Sequence, residues 1–428
     1  MSTAVLSPGR LSGDIKPPPS KSAAHRAILC AALAGGESVL SPVALSDDIK
    51  ATIGVAEALG ASIRLCGEVL TVSGIHPDHR EGGTLALPCG ESGSTLRFFI
   101  PVAAALGQNA VFTGEGKLPA RPIGVYLDCL PKAGVACRTK GGLPLAIDGQ
   151  LAPGVFSLPG DISSQFITGL LFALPLLCGD SEIRLTTPLQ SAGYIDLTLQ
   201  ILKEFGVQVE PIAGGWRVPG GQRYRAKACT VESDWSQAAF FLAGAAFGSD
   251  LTLTGLRFDS VQGDKAALPL FEGFGVRVEK RVDGSLRCTP PSGRIRAQDI
   301  DAAQIPDLVP ILAVTAALAD GDSRIYNAQR LRIKESDRLK TTAALIQALG
   351  GHCEETQDGL LVHGVKCFTG GTVDGANDHR IVMAAAMAAL AAQGEVTIRD
   401  AQAINKSYPS FFYEYNRLGG HVHGIHLG

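Results

Sequence analysis

The sequence contains few charged side chains and no excess of positive charge. Asp, Glu, Lys and Arg make up 18% of the 428 residues, and the formal net charge is −3 at pH 7. A chain with this balance has no broad basic surface for nucleic acid or for an anionic membrane. Recognition of a phosphorylated ligand would therefore depend on a local cluster of cations, and we expect no nucleic-acid partner.

The chain also lacks long apolar runs and paired cysteines. Its longest apolar runs, at residues 308–319 and 381–392, are shorter than a membrane span, and the first ten residues do not resemble a signal peptide. The 10 cysteines are scattered without a C-x-x-C pair, which is typical of small core side chains in a reducing compartment. We expect a cytoplasmic protein with no membrane partner.

Signals for cofactors and metal ions are likewise missing. The sequence contains no G-x-x-x-x-G-K-[ST] loop, no G-x-G-x-x-G loop and no carboxylate cage for a metal ion. His421, His423 and His426 could suggest a metal-binding tract, but their alternation favours a terminal strand, and we assign them no role. We expect no cofactor and no metal ion.

Internal repetition organises the chain. Apolar, Ala-rich helical runs begin near residues 21, 92, 163, 234, 305 and 378, so successive starts are separated by 71 residues four times and then by 73. Fixed spacing of this kind indicates repeated supersecondary units. Six units are too many for one hydrophobic core and divide naturally into two domains of three. A second, more amphipathic helix in each repeat is expected to stop at a glycine: Gly60, Gly134, Gly206, Gly275, Gly350 and Gly419.

The first helix of each repeat is apolar on nearly all sides, as at residues 166–177 and 238–247. A helix of this kind must be buried all round. Short segments rich in Val, Ile and Thr predict strands between the helices, as at residues 62–65, 111–113, 182–185 and 251–253. The sequence therefore predicts an α/β fold in which helices lie inside and sheets face solvent.

Polar residues mark the beginnings of the six runs. Ser, Asp and Asn at these positions are ordinary helix caps. Capping does not explain Lys21, Arg26, Gln165 and Arg380. A cation in the first turn opposes the helix dipole and costs about 0.3–1 kcal/mol, so several of them indicate a negatively charged ligand.

The most densely charged stretch is L-R-I-K-E-S-D-R-L-K at residues 331–340. A helix beginning near Glu335 would place Arg338 beside Lys334 and Glu335, because residues three and four apart share a face. Two cations would then flank one carboxylate. The stretch is either a solvated helix start with ion pairs or an anion site that contains a proton donor, and the cations at the other helix starts favour the anion site.

The polar motifs together resemble the enolpyruvyl transferases along the entire chain, and the branch that uses shikimate 3-phosphate most of all. Nine motifs in the family's order are far more specific than any one of them. They lie at residues 20–26 (S-K-S-A-A-H-R), 91–97 (E-S-G-S-T-L-R), 120–122 (A-R-P), 163–166 (S-S-Q-F), 262–264 (Q-G-D), 305–307 (I-P-D), 331–339 (L-R-I-K-E-S-D-R-L), 378–380 (D-H-R) and 406–409 (K-S-Y-P).

The resemblance implies two inside-out α/β barrels with parallel buried helices. One domain would comprise residues 1–17 and 234–428 and the other residues 18–233, with hinges near Pro18 and Asp234 and the active site in the cleft between them. The implied reaction transfers the enolpyruvyl group of phosphoenolpyruvate to the 5-hydroxyl of shikimate 3-phosphate and releases phosphate through a tetrahedral intermediate. This reaction belongs to chorismate and aromatic amino acid biosynthesis, and we expect a monomer.

The resemblance also assigns residues to the substrates and to proton transfer. Asp307 would take the proton of the 5-hydroxyl, Glu335 would protonate the methylene carbon, and Lys21 would assist at the bridging oxygen. The residues implied for shikimate 3-phosphate are Lys21, Ser22, Arg26, Ser163, Ser164, Gln165, Ser191, Asp307 and Lys334. Those implied for phosphoenolpyruvate are Lys21, Gly93, Arg121, Gln165, Arg338, Arg380 and Lys406.

Three positions depart from the family pattern: Pro19, Glu91 and Arg330. Glu91 matters most, because a carboxylate near the phosphoenolpyruvate pocket is repulsive unless it pairs with a cation such as Arg97 or Arg121.

Three other functions compete with this interpretation. A UDP-N-acetylglucosamine enolpyruvyl transferase shares the repeats and the chemistry but uses a loop cysteine, and the corresponding loop here, residues 114–122, has none. A non-catalytic anion-binding protein would leave Asp307 and Glu335 unexplained. A scaffold of buried helices would have no use for cations at helix starts.

Overall fold

The computed structural model describes residues 2–75 and 83–424. The chain divides into two compact units. The first unit consists of Met1–Pro18 and Glu232–Gly428, and the second unit is Pro19–Val231. None of the helices in the described ranges is long and apolar enough to cross a membrane.

The boundaries between the units differ from the predicted ones by one or two residues. Pro18, Glu232 and Ser233 belong to the first unit, whereas the sequence prediction assigned them to the other domain. Hydrogen bonds explain the difference, because the carbonyl of Pro18 accepts from the amide of Asp234 at 2.9 Å and the carbonyl of Ser233 accepts from Gln262 at 2.9 Å.

Two strands of the first unit, β1 (Thr3–Ser7) and β2 (Ser12–Ile15), precede the second unit. The helices of the second unit are α1 (Lys21–Leu33), α2 (Asp47–Ala58), α3 (Gly93–Ala105), α4 (Gly124–Cys129), α5 (Ser164–Ala173) and α6 (Ala192–Glu204). Its strands are β3 (Glu37–Ser41), β4 (Ser62–Cys66), β5 (Val69–Ser73), β6 (Thr84–Pro88), β7 (Asn109–Thr113), β8 (Ala136–Arg138), β9 (Leu145–Asp148), β10 (Val155–Leu158), β11 (Ser181–Leu185), β12 (Glu210–Ile212), β13 (Gly215–Val218) and β14 (Ala228–Thr230).

The rest of the first unit follows. Its helices are α7 (Trp235–Ala246), α8 (Ala267–Phe274), α9 (Val309–Ala316), α10 (Arg338–Ala348), α11 (His379–Ala388) and α12 (Phe411–Arg417). Its strands are β15 (Asp250–Leu253), β16 (Arg277–Lys280), β17 (Leu286–Thr289), β18 (Ile295–Arg296), β19 (Ile300–Asp301), β20 (Ala319–Asp320), β21 (Asp322–Tyr326), β22 (His352–Glu355), β23 (Leu360–His363), β24 (Gly371–Asp374), β25 (Val396–Arg399) and β26 (His421–His423).

Within the described residues, each unit contains three four-stranded sheets of one design, in which a parallel pair of strands is followed by two antiparallel pairs. The second unit has the orders β14-β3-β5-β4, β6-β7-β9-β8 and β10-β11-β13-β12. The first unit has β2-β15-β17-β16, β19-β21-β23-β22 and β24-β25-β1-β26, and also a short parallel pair, β18-β20.

The buried helices explain why the sheets lie on the outside of each unit. Helices α3, α5, α7, α9 and α11 are buried along nearly their whole length. The strands alternate buried and exposed residues, as Val396–Arg399 does, so one face of each sheet covers the helices and the other meets solvent. The prediction of helices inside and sheets outside is confirmed.

The predicted repeat boundaries are confirmed with one exception. Five of the six apolar helices have their N-cap or first residue at the predicted position. All six predicted stop glycines have positive φ angles and follow the second helix of their repeat. The fifth apolar helix begins at Val309 and not at Ile305, because the ring of Pro310 would clash with the carbonyl of Pro306 in a helix that began earlier.

Candidate active site

Serine side chains cap the three buried helices of the second unit. The hydroxyl oxygens of Ser20, Ser92 and Ser163 accept from the amides of the second or third helical residue. These caps satisfy amide groups that have no partner within the helix. Each cap places predicted binding residues in the first turn of its helix: Lys21 and Ser22, Gly93, and Ser164 and Gln165.

Arg26 is buried among neutral acceptors and aromatic rings. Its guanidinium donates to the hydroxyl of Thr198 at 2.8 Å and to the carbonyls of Ser22 at 2.8 Å and Tyr194 at 3.1 Å. It also lies 5.2 Å from the ring centre of Phe98. Burial lowers the pKa of Arg26 to about 10, so the side chain stays charged at neutral pH. Its recorded partners within the described residues carry no negative charge, which leaves a buried cation suited to an anionic ligand.

Lys21 contacts a carboxylate for which the sequence predicts no role. Its ammonium nitrogen lies 2.6 Å from the Oδ2 of Asp48, in the first turn of α2. Both side chains are about 15% exposed (16% and 15%), so the pair is accessible from solvent. Lys21 is thus oriented by a neighbour and is also reachable by a ligand.

The guanidinium of Arg121 lies against the start of α3. A Cβ atom added at Gly93 would come within 2.7 Å of the Nη1 of Arg121 and within 3.0 Å of its Nη2. Glycine is therefore required for the observed position of Arg121. A cation at a helix N-terminus opposes the dipole, and a bound anion would reverse that balance.

Arg97 and Gln165 link two helix starts in the second unit. The Nη1 of Arg97 donates to the Oε1 of Gln165 at 2.6 Å, and the side-chain Nε2 of Gln165 donates to the hydroxyl of Ser94 at 2.9 Å. Arg97 also donates to the carbonyl of Pro122 at 3.0 Å.

Glu91 lies against Gly116, where an added Cβ would come within 2.2 Å of its Oε2.

Ser191 precedes α6 in a left-handed backbone conformation. Its φ angle is +58°, and the residue is buried. This conformation costs a residue other than glycine about 1–2 kcal/mol. Its hydroxyl makes no capping hydrogen bond to α6, so helix capping does not account for the serine.

Arg338 organises the candidate site in the first unit. Its guanidinium is 1% exposed and lies 2.9 Å from Asp307, 2.8 Å from Glu335 and 2.8 Å from Asp378. Burial alone would lower the pKa of Arg338, but the three carboxylates outweigh burial and raise it. One buried cation thus holds the two predicted catalytic carboxylates at its Nη1 and Nη2.

Asp307 contacts two further cations. Its Oδ2 lies 2.8 Å from Arg380, and its Oδ1 lies 3.8 Å from the ammonium nitrogen of Lys334. Burial raises the pKa of Asp307, but Arg380, Lys334 and Arg338 outweigh burial and hold it well below its usual value. Burial also lowers the pKa of Lys334 to about 8, although Asp307 and Glu335 oppose this shift. The site therefore contains an ionised carboxylate and a lysine that can lose its proton near neutral pH.

Two more predicted residues lie near the start of α11. Asp378 caps the helix by accepting from the backbone amide of Arg380, and the guanidinium of Arg380 donates to the hydroxyl of Ser236 at 3.2 Å. Lys406 donates to the carbonyl of Asn377 at 2.6 Å. His379 is the first residue of α11.

The structure corrects the predicted course of residues 331–340. Helix α10 begins at Arg338 and not near Glu335, because Asp337 is its cap and accepts from the amide of Lys340. Lys334 and Glu335 precede the helix, and residues Gln329–Ile333 form a separate short 3-10 helix. The predicted ion pair of Glu335 with Arg338 is present, but Arg338 contacts three carboxylates, and the recorded ion pair of Lys334 is with Asp307.

Two carboxylates were missed by sequence reasoning. Asp48 follows Ser46 and Asp47 at the start of α2, where acidic residues are ordinary, so only its distance from Lys21 reveals it. Asp378 belongs to a recognised motif but was given no role, because nothing local to it indicates Arg338, 40 residues earlier.

The terminal histidines follow the predicted strand pattern as far as the structure describes them. His421 and His423 are the exposed residues of β26, on either side of buried Val422. His426 lies outside the described residues.

A cavity of about 1010 Å³ in the second unit lies elsewhere. It is lined by residues at the C-terminal ends of the buried helices, such as Leu33 and Leu106, and by Arg223 and Arg225. None of the predicted site residues lines it. Six candidate residues of the second unit lie instead at the opposite, N-terminal ends of α1, α3 and α5: Lys21, Ser22, Gly93, Ser163, Ser164 and Gln165.

Comparison with known proteins gives consistent matches over the whole chain. A family model described as EPSP synthase (3-phosphoshikimate 1-carboxyvinyltransferase) matches residues 5–414. The chain is 41% identical to the 3-phosphoshikimate 1-carboxyvinyltransferase of Clostridium kluyveri, with 97% of each chain covered. It is 42% identical to the protein of the same name from Clostridium acetobutylicum, with 100% of each covered. A solved EPSP synthase from Acinetobacter baumannii matches with a TM-score of 0.81 at 27% identity, covering 99% of this chain and 100% of that one.

Proposed function

Since this chain belongs to the EPSP synthase family, we propose that it transfers the enolpyruvyl group of phosphoenolpyruvate to the 5-hydroxyl of shikimate 3-phosphate. Phosphate is the second product. The observation that carries the proposal is the buried guanidinium of Arg338, which holds Asp307 and Glu335 at two of its nitrogens. A binding protein would not need two carboxylates beside the cations that attract its anionic ligand.

In the first step Asp307 removes the proton of the 5-hydroxyl, and the oxygen forms a bond to C2 of phosphoenolpyruvate. Glu335 gives a proton to the methylene carbon, which becomes a methyl group, and a tetrahedral intermediate results. In the second step the bond from C2 to the phosphate oxygen breaks and a methyl proton returns to the protein. The second step reverses the proton transfers of the first. The group that acts as an acid in one step can therefore act as a base in the other.

The charges around Asp307 support its role and also suggest how substrate binding assists it. Arg380, Lys334 and Arg338 hold the pKa of Asp307 low, so it is ionised but is a weak base in the free protein. Phosphate and carboxylate groups of the substrates would offset the cations, which raises the basicity of Asp307. Lys334, whose burial lowers its pKa to about 8, lies 3.8 Å from the Oδ1 of Asp307 and is one of the cations that the substrate anions would offset.

The proposed binding residues are drawn from both units. Arg26, Ser163, Ser164 and Ser191 from the second unit, with Lys334 and Asp307 from the first, would bind shikimate 3-phosphate. Ser22 would bind shikimate 3-phosphate with them. The residues proposed for phosphoenolpyruvate are Gly93, Arg121, Arg338, Arg380 and Lys406, and Lys21 and Gln165 would contact both substrates. Arg matches a planar carboxylate through paired hydrogen bonds, whereas Lys acts as a point charge that also moves a proton.

Phosphate release from phosphoenolpyruvate tests the function, with shikimate 3-phosphate and UDP-N-acetylglucosamine supplied separately. Phosphate should appear only with shikimate 3-phosphate, because residues 114–122 lack the loop cysteine of the rival enzyme. Turnover of the UDP-sugar would favour that rival. Turnover of neither acceptor would favour a non-catalytic anion-binding protein.

A monomeric state and a cytoplasmic location stay predictions. Light scattering on the purified chain would test the first, and fractionation of the source cells would test the second.

A further inference from the structure

Three neighbouring strands of the first unit carry a row of polar side chains on their outer face. Asp322 of β21 is paired in register with His363 of β23, and His363 is paired with His352 of β22. Glu354 lies two residues after His352 and therefore points to the same face of the sheet. Because buried Cys353 and Val362 occupy the inner face, the row of charged and imidazole groups faces solvent.

The side chains of this row lie within ligand distance of one another. The Nδ1 of His363 lies 3.0 Å from the Oδ1 of Asp322, and its Nε2 lies 3.5 Å from the Oε1 of Glu354. The ring centres of His352 and His363 are 4.6 Å apart. One donor atom each of His352, Glu354 and His363 lies within 4.8 Å of the other two.

The hydrogen bonding of His363 leaves one nitrogen without a partner. Asp322 contacts Nδ1, and Nε2 is the nitrogen that faces Glu354. This Nε2 atom is buried and makes no hydrogen bond. A metal ion between Nε2 and the Glu354 carboxylate would give Nε2 a partner.

We propose that His352, Glu354 and His363 bind a divalent transition-metal ion, and we commit to Zn²⁺. Two imidazole nitrogens and one carboxylate oxygen are the donors of many three-ligand zinc sites, in which water takes the fourth position. Tetrahedral bonds of about 2.0–2.1 Å place neighbouring donors about 3.3 Å apart. The Nε2 of His363 and the Oε1 of Glu354 are already 3.5 Å apart, and a donor nitrogen of the exposed His352 lies within 4.8 Å of the donor atoms of both.

Asp322 is a positioning residue in this proposal. A carboxylate on the far nitrogen of a ligating histidine fixes the ring and makes it a better ligand. The bound ion would connect β22 with β23 on the face opposite the core, and none of its ligands belongs to the proposed substrate-binding set. Only strand register reveals the site, because His352 and His363 are 11 residues apart and match no zinc spacing in the sequence.

Calorimetric titration of the metal-stripped full-length protein with ZnCl₂ tests the proposal. We expect one Zn²⁺ per chain, with affinity reduced more than about 100-fold in His363→Ala and in Glu354→Gln. Asp322→Asn, which keeps all three ligands, should weaken binding by about 10- to 100-fold. His421→Ala, which removes an exposed strand histidine of another sheet, should bind Zn²⁺ as the unchanged protein does.

Two further measurements separate this site from adventitious binding. Cobalt(II) at the site should give visible bands without the strong sulfur charge-transfer band that cysteine ligands produce. Zn²⁺ should raise the melting temperature of the unchanged protein but not that of His363→Ala, and equal melting temperatures without metal would show that the variant folds. The proposal is overturned if Zn²⁺ does not bind, if His363→Ala binds it equally well, or if the cobalt spectrum shows thiolate ligands.

Discussion

The buried guanidinium of Arg338 sets the chemistry of the first unit. An isolated cation with 1% exposure would be expensive, and its neutralisation requires the carboxylates of Asp307, Glu335 and Asp378. Both oxygens of Asp307 contact cations, Oδ1 with Arg338 and Oδ2 with Arg380, so the proposed base is also part of the buried charge network. Removal of Asp307 should therefore lower stability as well as activity.

Substitutions of Asp307 and Glu335 should have different effects, because each carboxylate would move a different proton. Asp307→Ala and Glu335→Ala should each slow turnover by about 10²- to 10⁴-fold, the usual range for loss of a general acid or base. Asp307→Ala should also weaken binding of shikimate 3-phosphate, because the carboxylate of Asp307 would accept a hydrogen bond from the 5-hydroxyl. Glu335→Ala should leave that binding nearly unchanged while it suppresses exchange of the methylene protons of phosphoenolpyruvate with solvent deuterium.

Asp250→Ala is the control for this pair, since Asp250 forms an exposed ion pair with Arg287 in the same unit. Its turnover should match that of the unchanged protein. Normal deuterium exchange in Glu335→Ala would exclude Glu335 as the carbon acid and would make Lys21 the first candidate.

Gly93 determines where Arg121 can lie. In Gly93→Ala the new methyl group would displace the guanidinium, since the Cβ would come within 2.7 Å of its Nη1. The KM for phosphoenolpyruvate should rise by about 10- to 100-fold, the value of one charge-assisted hydrogen bond. The KM for shikimate 3-phosphate should change much less, as initial rates with each substrate varied in turn would show.

Gly124→Ala is a matched control for Gly93→Ala. Gly124 is also the first residue of a helix, but an added Cβ would meet nothing within 4 Å. Equal effects of the two substitutions on the KM for phosphoenolpyruvate would mean that the position of Arg121 does not matter.

Among the elements, the helix starts connect folding with function. Asp378 caps α11 through the amide of Arg380 and also neutralises Arg338 of α10. Burial raises the pKa of Asp378, but Arg338 and His379 outweigh burial and lower it. One carboxylate therefore joins two helices that supply proposed substrate-binding residues.

Loss of the Asp378 charge should destabilise the protein strongly. Asp378→Asn leaves a buried cation with one carboxylate fewer, and breaking such a pair typically costs about 3–5 kcal/mol. Calorimetry should show a clearly lower melting temperature. Asp250→Asn breaks an exposed ion pair by the same substitution and should change the melting temperature little. A similar melting temperature for both variants would contradict the structural role of Asp378.

The same carboxylate predicts how stability depends on pH. A carboxyl group whose pKa is lower in the folded than in the unfolded chain binds protons more readily when unfolded. Its stabilising contribution is complete above the unfolded value, about 3.8, and is lost as the pH falls toward the folded value. Urea unfolding should show a falling free energy of unfolding below about pH 4, and Asp378→Asn should show a smaller fall.

Local sequence signals explain which elements could be predicted. Ser20, Ser92 and Ser163 act through backbone amides two or three residues away, so their role can be read from the sequence. The start of α9 was misplaced because the apolar run near Ile305 includes Pro306 and Pro310, whose spacing excludes a continuous helix. The charge pattern predicts a start of α10 near Glu335, but the side chain of Asp337 caps the helix, which therefore begins at Arg338.

At the scale of the whole molecule, sheet pairings cross the ends of the repeats. Strand β1 joins β25 and β26 from the other end of the chain, and β2 joins β15. The sequence of one repeat does not indicate that its strands pair with strands of another repeat, because strand pairing depends on the register between distant segments. For the same reason, the contacts of Arg338 with Asp378 and of His352 with His363 could not be predicted from the sequence.

The last prediction concerns the two substrates together. The residues proposed for shikimate 3-phosphate belong to both units, and so do those proposed for phosphoenolpyruvate. Binding of the first substrate should order side chains such as Gln165 and Asp307 and so reduce the entropic cost of binding the second. We therefore expect shikimate 3-phosphate to increase the affinity for phosphoenolpyruvate, by a coupling of about 1–3 kcal/mol as is typical between linked sites.

Calorimetry on Glu335→Ala can measure this coupling, because slow turnover would keep both substrates intact during the titration. The Kd of phosphoenolpyruvate should be lower with saturating shikimate 3-phosphate than without it, and by reciprocity phosphoenolpyruvate should lower the Kd of shikimate 3-phosphate by the same factor. UDP-N-acetylglucosamine in place of shikimate 3-phosphate is the control and should leave the Kd unchanged. Equal Kd values with and without shikimate 3-phosphate would show that the two substrates bind independently. In that case shikimate 3-phosphate does not order the side chains that bind phosphoenolpyruvate.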